Sequence, residues 1–331
     1  MMRVKTGVLL MSAFLLAAEQ AKALRQADVE GTWTARVRTV DGQRRVRVEL
    51  SRWDEDHWQT SLRLPPGASA DFLRQAESAD GVVAISLRRE AGTLQLEGRM
   101  RDGRGRGAFT FREDPAFRRT MADLGFPGLD DDEVFAAAVH DVGTAQVRGL
   151  QDLGFDPDFD DVMAAAIFRV DRAFVQEMRA SGFVGLDLRD LVAFRVHDVT
   201  SDFVREVRDL DLGAFDEDDV LAMKIHGIDA DLVREIRSLG LTGLDFDDVV
   251  AMKIHGVTPA FVRDARDMGL GEPDADDLLS MRIHGVDRAF VEGLATEGIE
   301  VEDLDQAIAF RIHDVSPEFV RELREDGFED L

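Results

Sequence analysis

Six histidines recur at one position of this 331-residue chain: His140, His197, His226, His255, His284 and His313. The last five are 29 residues apart, and Phe168 fills the slot between the first two. Imidazoles in series are groups for metal ligation or proton exchange near neutral pH. Ligation fails on distance. Zn–N bonds are about 2.0–2.1 Å long, whereas packed helices lie about 8–10 Å apart, so neighbouring repeats cannot share one ion. The plainer role is at a helix C-terminus, where an imidazole complements the negative end of the dipole. pH sensing is the other reading, because an acidic surround favours the imidazolium.

Acids recur with the same period. Asp130-x-x-Glu133, Asp158-x-x-Asp161, Asp187-x-x-Asp190, Asp216-x-x-Asp219, Asp245-x-x-Asp248, Asp274-x-x-Asp277 and Asp303-x-x-Gln306 have the spacing of capping boxes at helix starts. That pattern leaves Asp132, Asp160, Asp218, Asp247, Asp276 and Asp305 unexplained. At the second helical position they form a stripe, either a solvated face or a docking edge for a basic protein partner. Calcium loops do not fit. A loop starting at Asp156 has Asp161 where glycine is needed and Ile167 where glutamate is needed. HExxH, GxSxG, P-loop and dinucleotide-binding motifs are absent. The expectation is a non-enzymatic protein with no cofactor, metal or catalytic residue. The run Gly103-Arg104-Gly105-Arg106 reads as a hairpin turn, and Trp53 to Trp58 as a strand corner.

The elements that position these columns are short helices. Segments IHGI at 225–228, IHGV at 254–257 and 283–286, and IHDV at 312–315 mark a repeat whose units bury apolar surface only by stacking. The first helix of each unit carries an apolar anchor at Phe117, Phe174, Phe203, Leu232, Phe261, Phe290 and Phe319, with Gln146 the polar exception. It stops at Gly125, Gly154, Gly182, Gly240, Gly269, Gly298 or Gly327, with Asp211 once. The second helix starts at the capping box. Seven such αα-hairpins and a terminal helix predict a right-handed α-solenoid over residues 115–331.

Residues 24–114 alternate with period two between Gly, Asp and Pro breaks, predicting six short antiparallel strands. Phe109, Phe111 and Phe117 are expected to join this β-domain to the first repeat. The fold class is therefore α+β. Residues 1–23 read as an export signal: a basic start, an apolar run from Thr6 to Ala18, and Ala21-Lys22-Ala23. An exported protein, periplasmic or extracellular, with no stable membrane insertion after cleavage is expected. Having no cysteine, the chain has no disulfide and no thiolate chemistry. Its net charge of −26 is uneven. Residues 24–114 hold 16 arginines and 15 acids, whereas residues 115–331 hold 21 basic and 50 acidic side chains. A field of that sign argues against nucleic acid as a partner.

The string IHGV-T-P-A-F-V-R at 254–263, with Ala91-Gly92-Thr93, Glu97-Gly98 and Gly107-x-Phe109-x-Phe111 ahead of the repeats, resembles an extracytoplasmic module of known proteins. It is similar to the repeats, and the β-domain before them, in some BlaR1-like, M56-family antirepressor sensors. The resemblance covers nearly all of the chain beyond residue 23. This chain lacks the transmembrane helices and zinc motif of those peptidases, so their activity does not carry over. It implies a stand-alone extracytoplasmic interaction or sensing scaffold with an acidic repeat surface. The alternative is a small-ligand receptor built on the β-domain, with the helices as relay or spacer.

Overall fold

A computed structural model describes residues 29–52, 58–78 and 80–327. Residues 1–23, expected to be an export signal, and most of the Trp53–Trp58 corner lie outside the described residues. The chain is α+β and divides into two compact units, residues 1–172 and 173–331.

The first unit is built on a six-stranded antiparallel sheet: β1 Val29–Val40, β2 Gln43–Ser51, β3 Gln59–Leu62, β4 Val82–Arg89, β5 Gly92–Arg101 and β6 Arg104–Glu113, in the order β3-β2-β1-β6-β5-β4. Asp41-Gly42 and Asp102-Gly103 have positive φ at both residues, the two-residue turn whose twist matches antiparallel strands. Because that turn needs only two residues, Arg104–Arg106 lie within β6 and not in the turn expected for them.

One face of the sheet is apolar. Trp33, Leu50, Leu94, Leu96, Phe109 and Phe111 are buried on it, beneath α1, Pro66–Ala76, whose Phe72 meets Trp33 edge-on at 5.7 Å. Residues 115–172 then give α2 (Pro115–Asp123), α3 (Asp131–His140), α4 (Thr144–Gln151) and α5 (Phe159–Phe168). The joint to the sheet is made by Phe135 of α3, with ring centroids 5.6 Å from Phe109, 5.4 Å from Phe111 and 5.1 Å from Trp58. Phe117, expected at this joint, is buried but forms none of these ring contacts.

Adjacent residues at the β4–β5 turn hold the junction between the first and second hairpins. Arg89 donates to the carbonyls of Ala138 and Val139 at the C-terminus of α3. Glu90 accepts the Thr144 N–H at 2.8 Å at the N-terminus of α4. A cation at the negative helix end and an anion at the positive end both match the dipole. The corresponding caps in later repeats are local: Thr200, Asp229, Thr258, Asp287 and Ser316 each accept an N–H from their own helix. Here the cap position is Gly143, and a Cβ there would lie 2.7 Å from the Glu90 carboxylate. The sheet supplies the cap that the repeat lacks.

The second unit consists of paired short helices: α6 (Arg172–Ala180), α7 (Leu188–Val196), α8 (Ser201–Arg208), α9 (Glu217–Ile225), α10 (Ala230–Ser238), α11 (Phe246–Ile254), α12 (Pro259–Arg266), α13 (Ala275–His284), α14 (Arg288–Thr296), α15 (Leu304–Ile312) and α16 (Pro317–Glu325). Like packs on like: α7 against α9, α9 against α11, α11 against α13, and α13 against α15. Six of the seven expected capping boxes in the chain close completely. In the seventh, Asp303 accepts the Gln306 N–H, but the Gln306 side chain takes the Glu302 N–H instead.

Two further period-locked contacts join the repeats. A cation lies over four of the phenylalanine anchors from 21 residues ahead: Arg195 over Phe174 at 3.8 Å, Lys224 over Phe203 at 4.6 Å, Arg282 over Phe261 at 4.9 Å and Arg311 over Phe290 at 4.0 Å. At sites as open to solvent as these, cation–π pairs contribute about 0.5–1 kcal/mol each. Arginines 27 residues ahead donate back to the end of the preceding first helix, Arg237 to Leu210 O and Arg266 to Leu239 O. Gly240 has φ of 92°, and an added Cβ would stand 2.6 Å from the Arg266 guanidinium. The left-handed conformation is what disfavours a side chain there, while the end of Arg266 would have to shift to admit one.

Phe261→Ala is expected to cost about 3–5 kcal/mol, whereas Phe319→Ala, at a ring 44 % exposed, costs under about 1.5 kcal/mol because that ring already lies largely in water. Denaturant titrations of both variants check the contrast. Glu90→Ala is expected to cost about 1 kcal/mol. Adding Gly143→Ser restores much of that loss, because the serine caps its own helix.

Candidate functional site

The stripe of second-position aspartates is exposed at every member: Asp132, Asp160, Asp218, Asp247, Asp276 and Asp305. They are not equivalent. Asp132 accepts from Arg52 at 2.6 Å and so ties α3 to the end of β2, although its side chain remains 75 % exposed. Asp218 has its backbone N–H bonded to Asp216 and its carboxylate at the surface.

In the second unit the acids of successive repeats sense one another. Burial raises the Asp219 carboxyl above the ordinary aspartate value, and repulsion from its cap Asp216 and from Asp247 of the next repeat adds to the shift. Asp248 is raised likewise, by burial and then by Asp245 and Asp276. Asp190 follows, by burial and then by Asp187 and Glu217. The acids along this unit therefore behave electrostatically as one edge.

Beside the histidine column runs a feature that the sequence reading missed. Val196, Ile225, Ile254, Ile283 and Ile312 are each 51–56 % exposed. Each directly precedes a histidine, and His197, His226, His255, His284 and His313 are exposed too. Aliphatic residues at a repeat period are ordinarily read as core, so their type and spacing did not reveal them. The signal was their neighbour: an apolar residue beside a solvent-facing histidine at every helix end. Residues 173–331 thus carry five large aliphatic side chains at one register. In the first repeat the same register holds Val139, which is 0 % exposed, in a helix packed on β5 and β6.

His140 also departs from its column. It is half-buried, and burial, followed by repulsion from Arg63 and Arg89, holds its imidazole below the usual histidine value. An acidic surround was expected to ease protonation, but at this position burial, joined by two nearby arginines, reverses the direction.

The first unit also contains a cavity of about 640 Å³. Leu150, Leu153 and Val162 form an apolar floor, and Arg63, His140, Arg169 and Arg172 stand at its rim. It lies outside the sheet, whose own interior is filled by Trp33, Phe72 and Phe109. Among the described residues no three or more His, Asp or Glu side chains are grouped to hold a metal ion, and no helix is long and apolar enough to cross a membrane. Compared with known protein families, curated proteins and solved structures, the chain matches none.

The raised carboxyls fix a sign for pH dependence. A folded-state value above the unfolded one means that the ionised form opposes folding. Stability is therefore gained as pH falls toward the carboxylate range and lost as pH rises through the folded values. The full chain is expected to melt at a higher temperature near pH 4.5–5 than at pH 7. The double variant Asp219→Asn, Asp248→Asn flattens that difference. Calorimetric melting across this range checks both.

Proposed function

We propose that the chain is a non-enzymatic scaffold that binds a protein partner outside the cytoplasm through its helical repeats. The repeats stack as an α-solenoid of seven hairpins and a terminal helix, and the partner lies along residues 173–331. One observation carries this reading: the aliphatic column Val196, Ile225, Ile254, Ile283 and Ile312 stands in water at every repeat of the second unit. Contiguous exposed apolar surface rimmed by polar groups is characteristic of protein interaction sites. The exposed aspartates, Asp218, Asp247 and Asp276 among them, supply a charged edge for a basic partner, governing association rate and salt response more than affinity. The export reading of residues 1–23 places the interaction outside the cytoplasm.

A second reading is favoured by the cavity of about 640 Å³ in the first unit. Its volume suits a small molecule, and its rim of arginines and His140 suits an anionic one. In that reading the helices relay or space. It ranks second because the sheet core is solid and the cavity is only half-enclosed by loops and helix ends.

The test is capture from an envelope extract with three full-length baits. Wild type is expected to retain a specific protein. Ile225→Ser, Ile254→Ser, Ile283→Ser is expected to lose it while keeping the helical circular dichroism spectrum. Asp218→Asn, Asp247→Asn, Asp276→Asn is expected to retain it more weakly, with reduced salt sensitivity. If the isoleucine variant captures the same protein as wild type, the scaffold reading is wrong.

A further inference from the structure

The solvent face of the sheet carries an arrangement that the fold does not require. Across β2, β1, β6 and β5, arginines stand directly opposite arginines: Arg38 with Arg45, Arg36 with both Arg47 and Arg104, Arg101 with Arg104, and Arg99 with Arg106. Directly opposed residues of an antiparallel pair share a face, so all eight project from the same side, and all eight are exposed. Among the described residues of these strands, that face holds three acids, Glu30, Glu49 and Glu97. None of the eight arginines makes an ion pair or side-chain hydrogen bond among the described residues. By contrast, Arg52, Arg89 and Arg118 elsewhere in the same unit are all engaged.

Like charges directly opposed on a sheet are destabilising. A glutamate at any of these positions would relieve the repulsion, yet Glu49, the acid on β2, stands opposite Thr34 and not opposite an arginine. The face also contains a cleft of about 260 Å³, lined by Thr34, Arg36, Arg47, Arg104 and Arg106, with Glu49 at one side. Four guanidinium groups from three neighbouring strands thus converge on one concavity.

We propose that this face binds inorganic polyphosphate, with the cleft taking one phosphate and the flanking arginines its neighbours. Guanidinium groups recognise phosphate through paired hydrogen bonds. Charge complementarity argues for this occupant: every unit of polyphosphate carries a negative charge. The opposed guanidinium groups, on backbones about 4.8 Å apart across strands and about 6.6 Å apart along them, form a track of cations that a flexible chain can follow. The net charge of −26 does not forbid the contact, because charges beyond about 10 Å are screened at 0.1 M salt.

Inorganic polyphosphate is the probe, titrated calorimetrically into the full chain at rising salt. Binding is expected at low salt, weakening with a log–log slope near −3 if four phosphates are neutralised at about −0.7 each. Arg36→Gln with Arg104→Gln, and separately Arg47→Gln with Arg106→Gln, are each expected to weaken binding at least tenfold and to flatten the slope. Arg74→Gln, on α1, is expected to change nothing. Both double variants are expected to melt no lower than wild type, since each removes opposed like charges, so a loss of binding is not a loss of fold. Absence of polyphosphate binding at low salt, or binding untouched in both double variants, overturns the proposal. So does preference for vesicles of anionic phospholipid, or sedimentation showing self-association that the double variants abolish.

Discussion

Helix ends govern this chain. The described helices are only eight to eleven residues long, and each leaves four N–H groups and four carbonyls without an intrahelical partner. In helices this short those groups are a large share of the backbone. Their satisfaction dictates the residue pattern: an aspartate before each second helix, its reciprocal acid three residues on, a residue of positive φ after each helix, and an arginine reaching back from the next repeat to a bare carbonyl. Much of the acidity of residues 115–331 therefore originates in backbone chemistry. The aspartates at the second helical position are the part that capping does not require, and every one of them is exposed.

What was legible in the sequence was whatever the period exposes. The capping boxes, the glycine stops and the phenylalanine anchors can be read from spacing, because each contact lies within one repeat. Six of the strands were legible for the same reason, from alternation and Asp-Gly turns. Contacts between repeats were not. Nothing in the type of Arg282 distinguishes a cation over Phe261 from a solvated one, and Phe135 looks like any apolar residue of a second helix until the sheet is set against it. The arginine face was hidden most completely. Arg36, Arg47 and Arg104 are far apart in sequence, and only the β2-β1-β6 register brings them together.

Exposure of the aliphatic column was illegible for a different reason. A 29-residue period keeps buried and exposed positions equally regular, so regularity cannot separate core from surface. The internal comparison does so. At the register of Ile225 and Ile254 the first repeat has Val139, fully buried in a helix that packs on the sheet. The chain thus provides its own example of that register covered. The proposed binding role of residues 173–331 rests on the contrast between these two states of one position.

The cap that Glu90 supplies to α4 bears on how such a chain diversifies. Interior repeats bring their own helix caps, so recombination can duplicate or delete one of them and leave each remaining helix start satisfied. The second repeat has Gly143 at that position and depends on a carboxylate from the sheet. It cannot be copied into the interior without leaving a helix start uncapped, and it cannot be lost without stranding Arg89 and Glu90. Relatives of this chain are therefore expected to vary in repeat number while inheriting the sheet and its first two hairpins together, as a single heritable block.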